Sequence, residues 1–106
     1  MTDQPQSAIR DALGGFAPKL VTLTEEVLFG DVWERTDLAP RDRSLITVAA
    51  LIAGGNSEQL AFHLGLAKQN GLTETELKEA ITHLAFYAGW PKAMSAINIA
   101  KQTFDS

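Results

Sequence analysis

Residues that end helices and residues that start them recur in pairs along this chain. Gly14-Gly15 comes shortly before Pro18, and Gly89 comes shortly before Pro91. Glycine ends helices because its backbone reaches left-handed conformations without steric cost, and proline fits a first helical turn because its fixed φ is already helical. Alternating strand patterns of Val, Ile and Thr are absent. The sequence therefore predicts an all-α fold of about six helices, whose short connections favour antiparallel neighbours.

The predicted helices follow from these end signals and from apolar residues at helical spacing. They cover Ser7–Leu13, Pro18–Trp33, Asp42–Ala53, Asn56–Asn70, Thr73–Ala88 and Pro91–Phe104, after a flexible tail at residues 1–6. Asn56 with Gln59, and Thr73 with Glu76, are predicted capping boxes, in which each side chain bonds the backbone of the other residue. The third predicted helix is apolar almost all round, so we expect it to be buried on most sides.

Length and composition narrow the classes of protein. The 106 residues make one predicted domain, residues 1–106, and a domain of this size buries only about two thirds of its unfolded surface. We therefore expect either an unusually apolar core or burial against neighbouring copies. The net charge of −4 argues against a nucleic-acid partner. No apolar run approaches the roughly twenty residues of a membrane span and no signal peptide is recognised, so a cytoplasmic protein without a membrane partner is predicted.

The chain contains no cysteine, which removes several kinds of chemistry. A CxxC redox motif, a thiolate nucleophile and a thiolate-bound zinc ion all require cysteine. The two histidines stand twenty residues apart, which is not a metal-ligand spacing, and no glycine-rich nucleotide loop is present. We therefore predict neither a metal site nor a cofactor.

His63 is the titratable side chain that the apolar pattern singles out. Leu60, Leu64 and Ala67 mark the buried face of the fourth predicted helix, and His63 lies about 60° from the centre of that face. We therefore expect a partly buried ring with one edge free. Two interpretations stay open: a structural histidine held by a backbone carbonyl, or an acid–base group, since histidine titrates near neutral pH.

Three other charged residues are candidates. Glu26 shares one side of the second predicted helix with Phe29 and Trp33, and a carboxylate desolvated by such rings is suited to acid–base chemistry, whereas one on a solvated edge is not. Arg41 and Arg43 lie in the first turn of the third predicted helix, where the helix dipole disfavours cations. Each therefore needs a carboxylate, supplied by a ligand or by the protein. The protein carboxylates in question are Asp37, Asp42 and Glu26.

The back of the fifth predicted helix carries rings where solvent-facing residues are expected. His83, Phe86 and Tyr87 all point away from its apolar stripe. This pattern predicts a second buried surface, most simply an interface with another subunit. A Glu79–His83 pair one helical turn apart is equally compatible with an ordinary surface contact.

Five short segments in fixed order give the chain a recognisable pattern. They are E-x-x-F-G-D-V-W at 26–33, R-S-L at 43–45, H-L at 63–64, N-G-L-T at 70–73 and Y-A-G-W-P at 87–91. With them, residues 20–104 resemble the carboxymuconolactone decarboxylase family. The resemblance implies an all-helical, alkylhydroperoxidase-D-like fold and a ring-shaped homo-oligomer, commonly a hexamer built as a trimer of dimers. The thiol-peroxidase branch of these proteins carries a C-x-x-C where this chain has N-S-E-Q, so peroxidase chemistry is not expected here.

The resemblance also implies a function similar to that of the decarboxylases of aromatic catabolism. It assigns catalytic roles to Glu26, Arg43 and His63, converging on one pocket, in cofactor-free proton chemistry on a small acidic lactone or keto acid. The substrate-binding candidates are Trp33, Phe29, His83, Tyr87 and Trp90. Decarboxylases commonly carry an arginine two residues after the histidine, where this chain has Gly65. That departure favours a different substrate, or an alternative function as a non-catalytic, oligomeric ligand-binding relative.

Overall fold

The computed structural model describes residues 5–105 of the chain, with side chains from Ile9 onwards, and confirms an all-α architecture. The α-helices are α1 Pro5–Leu13, α2 Pro18–Thr22, α3 Pro40–Gly54, α4 Ser57–Gln69, α5 Glu74–Tyr87 and α6 Trp90–Asp105. A π-helix, Leu23–Phe29, continues α2, and a 3-10 turn, Val32–Glu34, follows it. The contacts divide the chain into two compact units, one ending at Leu38 and the other beginning at Ala39.

The first unit contains α1, α2, the π-helix and the 3-10 turn. Arg10 on α1 forms a bidentate ion pair with Glu25 on the π-helix. Its Nε donates to Oε2 at 2.7 Å, and a terminal guanidinium nitrogen donates to Oε1 at 2.5 Å. The hydrogen bond from Arg10 lowers the pKa of the Glu25 carboxyl, and the same bond raises the pKa of Arg10. This fork-shaped pair ties α1 to the π-helix.

The π-helix corrects the prediction of one continuous α-helix from Pro18 to Trp33. Two local features accompany the change. The Thr24 hydroxyl donates to the Leu20 carbonyl at 2.8 Å, competing for the acceptor that the Thr24 N–H uses in an α-helix. The absence of a side chain at Gly30 accommodates the wider turn. A Cβ at this position would lie 2.6 Å from the Glu25 carbonyl oxygen, which is too close. Trp33 therefore lies in the 3-10 turn and not on an α-helix.

The second unit is built from α3, α4, α5 and α6. Helices α3 and α4 pack together, as do α5 and α6, and further contacts join α4 to α6 and α3 to α5. The core consists of buried apolar residues from all four helices and from the turn between α4 and α5: Val48, Ile52, Leu60, Leu64, Ala67, Leu72, Leu77, Ile81, Ala93, Ala96 and Ala100. The stripes predicted for the fourth and fifth helices lie in this core or at its edge.

Most helix ends of the second unit agree with the sequence prediction. Gly55 and Gly71 have φ of 72° and 105°, conformations that side chains other than glycine rarely adopt. Thr73 and Glu76 form the predicted capping box, with both reciprocal hydrogen bonds present. The box predicted at Asn56 is wrong: Asn56 is the N-cap of α4, but its side chain makes no capping hydrogen bond.

Helix α3 is less buried than its apolar sequence predicts. Its buried residues form a single stripe, Ser44, Val48 and Ile52, at four-residue spacing. Ile46, which points away from that stripe, is 58% exposed. The prediction of burial on most sides is therefore wrong for the single chain, because α4 and α5 cover only part of the helix surface.

Candidate active site

The two flanks of α4 face different neighbours. On one flank, Asn70 at the end of the helix donates from Nδ2 to the Ser44 hydroxyl of α3 at 2.9 Å. On the other, the Lys68 ammonium lies 4.9 Å from the centre of the Phe104 ring of α6. His63 stands seven residues before Asn70, which is about two helical turns, so it shares the flank that faces α3.

His63 is half-buried, as predicted from its place beside the apolar stripe. Its Nδ1 atom is buried, and its ring meets the edge of Phe62 with centroids 5.0 Å apart and planes 84° apart. Burial lowers the pKa of His63 below its ordinary value of 6.5, because the charged imidazolium loses hydration in this position. Desolvation therefore favours the neutral imidazole in the folded chain.

Arg43 lies near the start of α3, at the level where the end of α4 carries Asn70. It directly precedes Ser44, the acceptor of the Asn70 hydrogen bond, and it is half-buried with its Nε atom enclosed. The Thr47 hydroxyl donates to the Arg43 carbonyl, one helical turn away, at 2.7 Å. A guanidinium in such a place offers a fixed positive charge and a fork of donors that matches a carboxylate.

Arg41, the second arginine of this helix, is engaged within the protein. Its guanidinium forms an ion pair with Glu76 of α5 and approaches Asp42 at 3.6 Å. The predicted pairing with Asp42 is thereby confirmed, whereas the partner on α5 was not predicted. Both observed partners of Arg41 are thus carboxylates of the protein.

The candidates of the first unit differ in burial. Glu26 lies on the π-helix and is exposed, which agrees with the solvated alternative and not with the desolvated one, whereas Phe29 and Trp33 are half-buried. The physical reason is the π-helix itself, which changes the angular positions that an α-helix would give to Glu26, Phe29 and Trp33. Phe29 and Trp33 do come together, with stacked rings whose centroids are 5.9 Å apart.

The aromatic candidates of the second unit lie on its surface. His83 and Tyr87 stack on the exposed side of α5 with ring centroids 4.8 Å apart. Phe86 meets the edge of Trp90 at 6.3 Å, and these two rings are 78% and 60% exposed. His83 also borders an open groove of about 490 Å³ between α3 and α5, whose lining is mainly apolar. The single chain therefore leaves the predicted second surface of α5 uncovered.

Gly65 lies apart from the flank that carries His63. Residues two apart on an α-helix point in directions about 200° apart, so a side chain at position 65 would not stand beside the imidazole. A Cβ built on Gly65 meets no atom within 4 Å. The departure at position 65 therefore lies on a different side of α4 from His63.

Ser44 and Asn70 are residues of this region that the sequence analysis did not single out. Ser44 is fully buried, and it continues the stripe of Val48 and Ile52 by one turn. A serine at a core position of that stripe was the available signal, because a buried hydroxyl requires a hydrogen-bond partner. Within residues 5–105, no group of three or more His, Cys, Asp or Glu side chains is placed to hold a metal ion.

Comparisons with known proteins bear on this region. The sequence model of the carboxymuconolactone decarboxylase family matches residues 18–102. A 4-carboxymuconolactone decarboxylase from Acinetobacter baylyi is 42% identical over 76 residues, which are 72% of this chain and 57% of that protein. A nitrosuccinic acid decarboxylase from Metarhizium robertsii is 33% identical over 100 residues, which are 94% of this chain and 69% of that protein. In the described part of the chain, no helix is both long and apolar enough to cross a membrane.

Proposed function

Because the chain belongs to the carboxymuconolactone decarboxylase family, we propose that it removes CO2 from a small organic acid by proton chemistry that needs no cofactor. His63 is the acid–base group and Arg43 binds a carboxylate of the substrate. The observations that carry the proposal are a half-buried imidazole on α4 and a half-buried guanidinium on α3, two helices that pack together.

The proposed reaction has two steps. Breaking the bond between the carboxylate carbon and its neighbour releases CO2 and leaves the electron pair on the substrate. An adjacent electron-withdrawing group must delocalise that pair, and the carbon must then receive a proton. His63 delivers this proton, so that one proton is consumed for each CO2 released. Arg43 holds a carboxylate throughout, which makes it a binding residue more than a stabiliser of the transition state.

The lowered pKa of His63 favours protonation of the ring after the substrate has bound. In the empty site desolvation keeps the imidazole neutral. A substrate carboxylate bound nearby raises the pKa of the ring again, because an opposite charge in a sheltered place favours the protonated form. The bound substrate thus favours the protonated ring that its own decarboxylation requires, whereas desolvation in the empty site favours the neutral ring.

The substrate class follows from the chemistry of the relatives. One relative is named for a carboxylated lactone and the other for nitrosuccinic acid. In both compounds an electron-withdrawing group, a conjugated lactone or a nitro group, stands where it can take up the electron pair that CO2 leaves behind. We infer that the substrate of this chain is a small lactone, keto or nitro acid with more than one anionic group.

The test is an assay of CO2 release from carboxymuconolactone and from nitrosuccinate. His63→Gln should lower kcat by about a hundredfold or more, since a positioned proton donor contributes that much. Arg43→Gln should raise KM by about tenfold or more while kcat changes less. Gln69→Ala, an exposed change on α4, is the control and should match the unaltered protein.

Two results would overturn the proposal. A His63→Gln variant with full kcat would remove the histidine from the mechanism. Tight binding of either acid without CO2 release would identify a ligand-binding relative instead of an enzyme. Glu26 stays a predicted catalytic residue, and a Glu26→Gln variant in the same assay decides its role.

A further inference from the structure

We propose that Ser44 and Asn70 are positioning residues for Arg43: their hydrogen bond fixes the start of α3, and with it the guanidinium that binds the substrate. The inference rests on the proposed function, because it assigns Arg43 the carboxylate-binding role. It adds Ser44 and Asn70 as residues that do not touch the substrate but determine the position of Arg43, which binds it.

The start of α3 has a proline in its first turn but no side-chain cap. Ala39 is the N-cap, and no side chain caps the first turn. The first four N–H groups of a helix have no partner within the helix, so an uncapped first turn frays easily. Arg43 is the fourth residue of α3, counted from Pro40, and therefore lies where such fraying would displace it.

The bond between Asn70 and Ser44 connects the start of α3 to the end of α4. Ser44 is 0% exposed, and its hydroxyl accepts from Asn70 Nδ2 at 2.9 Å. Asn70 is itself the C-cap of α4, and its backbone N–H donates to the Leu66 carbonyl at 2.9 Å. Breaking this partly buried hydrogen bond would leave the desolvated Ser44 hydroxyl without its Asn70 donor, which opposes movement of the two helix ends.

A second interaction connects the first turn of α3 to α5. Arg41 pairs with Glu76, whose other bonds form the capping box with Thr73. Both partners are about two-fifths exposed, with side-chain exposures of 41% and 43%. Exposed ion pairs contribute little, so we expect this tie to be the weaker of the two.

A third polar link in this region supplies the control. Lys68 of α4 pairs with Glu74 of α5 at 2.6 Å. It joins the same two helices that flank the Asn70–Thr73 turn, but it does not touch α3. If only the general stability of this end of the unit mattered, breaking this link would have the same consequences as breaking the bond to Ser44.

The experiment compares Asn70→Ala, Ser44→Ala and the double variant with Glu74→Gln. Each single change at the bond should raise KM by about tenfold with kcat within about twofold, because the anchor is misplaced while the proton donor is not. The double variant should be no worse than either single one, since both remove the same bond. Glu74→Gln should leave KM unchanged.

A second readout does not depend on turnover. The Nε atom of Arg43 is buried, so its N–H proton should give a protected NMR signal. In Asn70→Ala that signal should shift and lose protection, whereas in Glu74→Gln it should stay in place. An unchanged Arg43 signal with unchanged KM overturns the inference even where His63→Gln is inactive. A shifted signal in a protein that turns over neither acid supports the positioning role and counts against the proposed function alone.

Discussion

His63 combines two properties that bear on stability as well as catalysis. Its ring is half-buried, and desolvation lowers its pKa in the folded protein. In the unfolded chain the ring titrates at its ordinary value of 6.5. As pH falls from about 6.5 to the lower folded value, the unfolded state binds the proton first, so the free energy of unfolding decreases. Above this window both states are neutral and the ring contributes no pH dependence.

We therefore predict different pH profiles of stability for the unaltered protein and for His63→Gln. Urea unfolding between about pH 8 and pH 5 should show that the unaltered protein loses stability more steeply below about pH 6.5. Glutamine keeps the polar bulk of the side chain but cannot take the proton. Parallel profiles of the two proteins would show that His63 is hydrated in the folded state, contrary to its partial burial.

At single residues, the sequence predicted environments better than partners. The partial burial of His63 followed from its angle to Leu60 and Leu64, which helix geometry fixes. The Asn70–Ser44 bond did not follow, because it depends on how the end of one helix meets the start of another. The Arg41–Glu76 pair was not predicted for the same reason: its members are thirty-five residues apart in sequence and lie on different helices.

At the level of elements, helix ends were predictable where glycine must adopt positive φ, as at Gly55 and Gly71. The π-helix was not predictable, because Leu23–Phe29 has the composition of an ordinary α-helix. Its widened turn depends on a threonine side chain and on the absence of a Cβ at Gly30. Neither feature alters the pattern of apolar residues from which a helix is recognised.

Gly30 and Gly65 offer matched tests of what a methyl group does in two helical settings. At Gly30 a Cβ would lie 2.6 Å and 2.9 Å from the carbonyl oxygens of Glu25 and Glu26, so the backbone must shift. We expect Gly30→Ala to destabilise the protein by about 1–3 kcal/mol, the usual range for overpacking. At Gly65 nothing lies within 4 Å, so Gly65→Ala should stabilise α4 by about 0.5–1 kcal/mol.

The measurement is the free energy of unfolding in urea, together with hydrogen exchange of the amides of Leu23–Phe29. Gly30→Ala should speed exchange in that segment, and Gly65→Ala should leave it unchanged. Equal effects of the two substitutions would mean that the close approach at Gly30 is not maintained in solution.

At the scale of the whole molecule, the single chain exposes more large apolar side chains than an isolated small domain needs. Phe86, Tyr87 and Trp90 are 78%, 79% and 60% exposed and lie together around the junction of α5 and α6. Met94, one turn further on, is 45% exposed. A contiguous apolar patch of this kind marks an interaction surface. It agrees with the predicted interface on the back of α5 and supports the proposal of a homo-oligomer.

We therefore predict that the protein in solution has a mass several times its chain mass of 11.5 kDa. Burying one aromatic ring in each subunit contributes about 1.5–3 kcal/mol, so several such rings suffice to offset part of the entropic cost of association. Phe86→Glu places a charge within the patch and should shift the mass from light scattering towards that of one chain. Thr75→Glu, which adds the same charge to the exposed first turn of α5, should leave the assembly intact. An unaltered protein that is monomeric at high concentration would contradict the interface and leave the exposed rings to be explained by another partner.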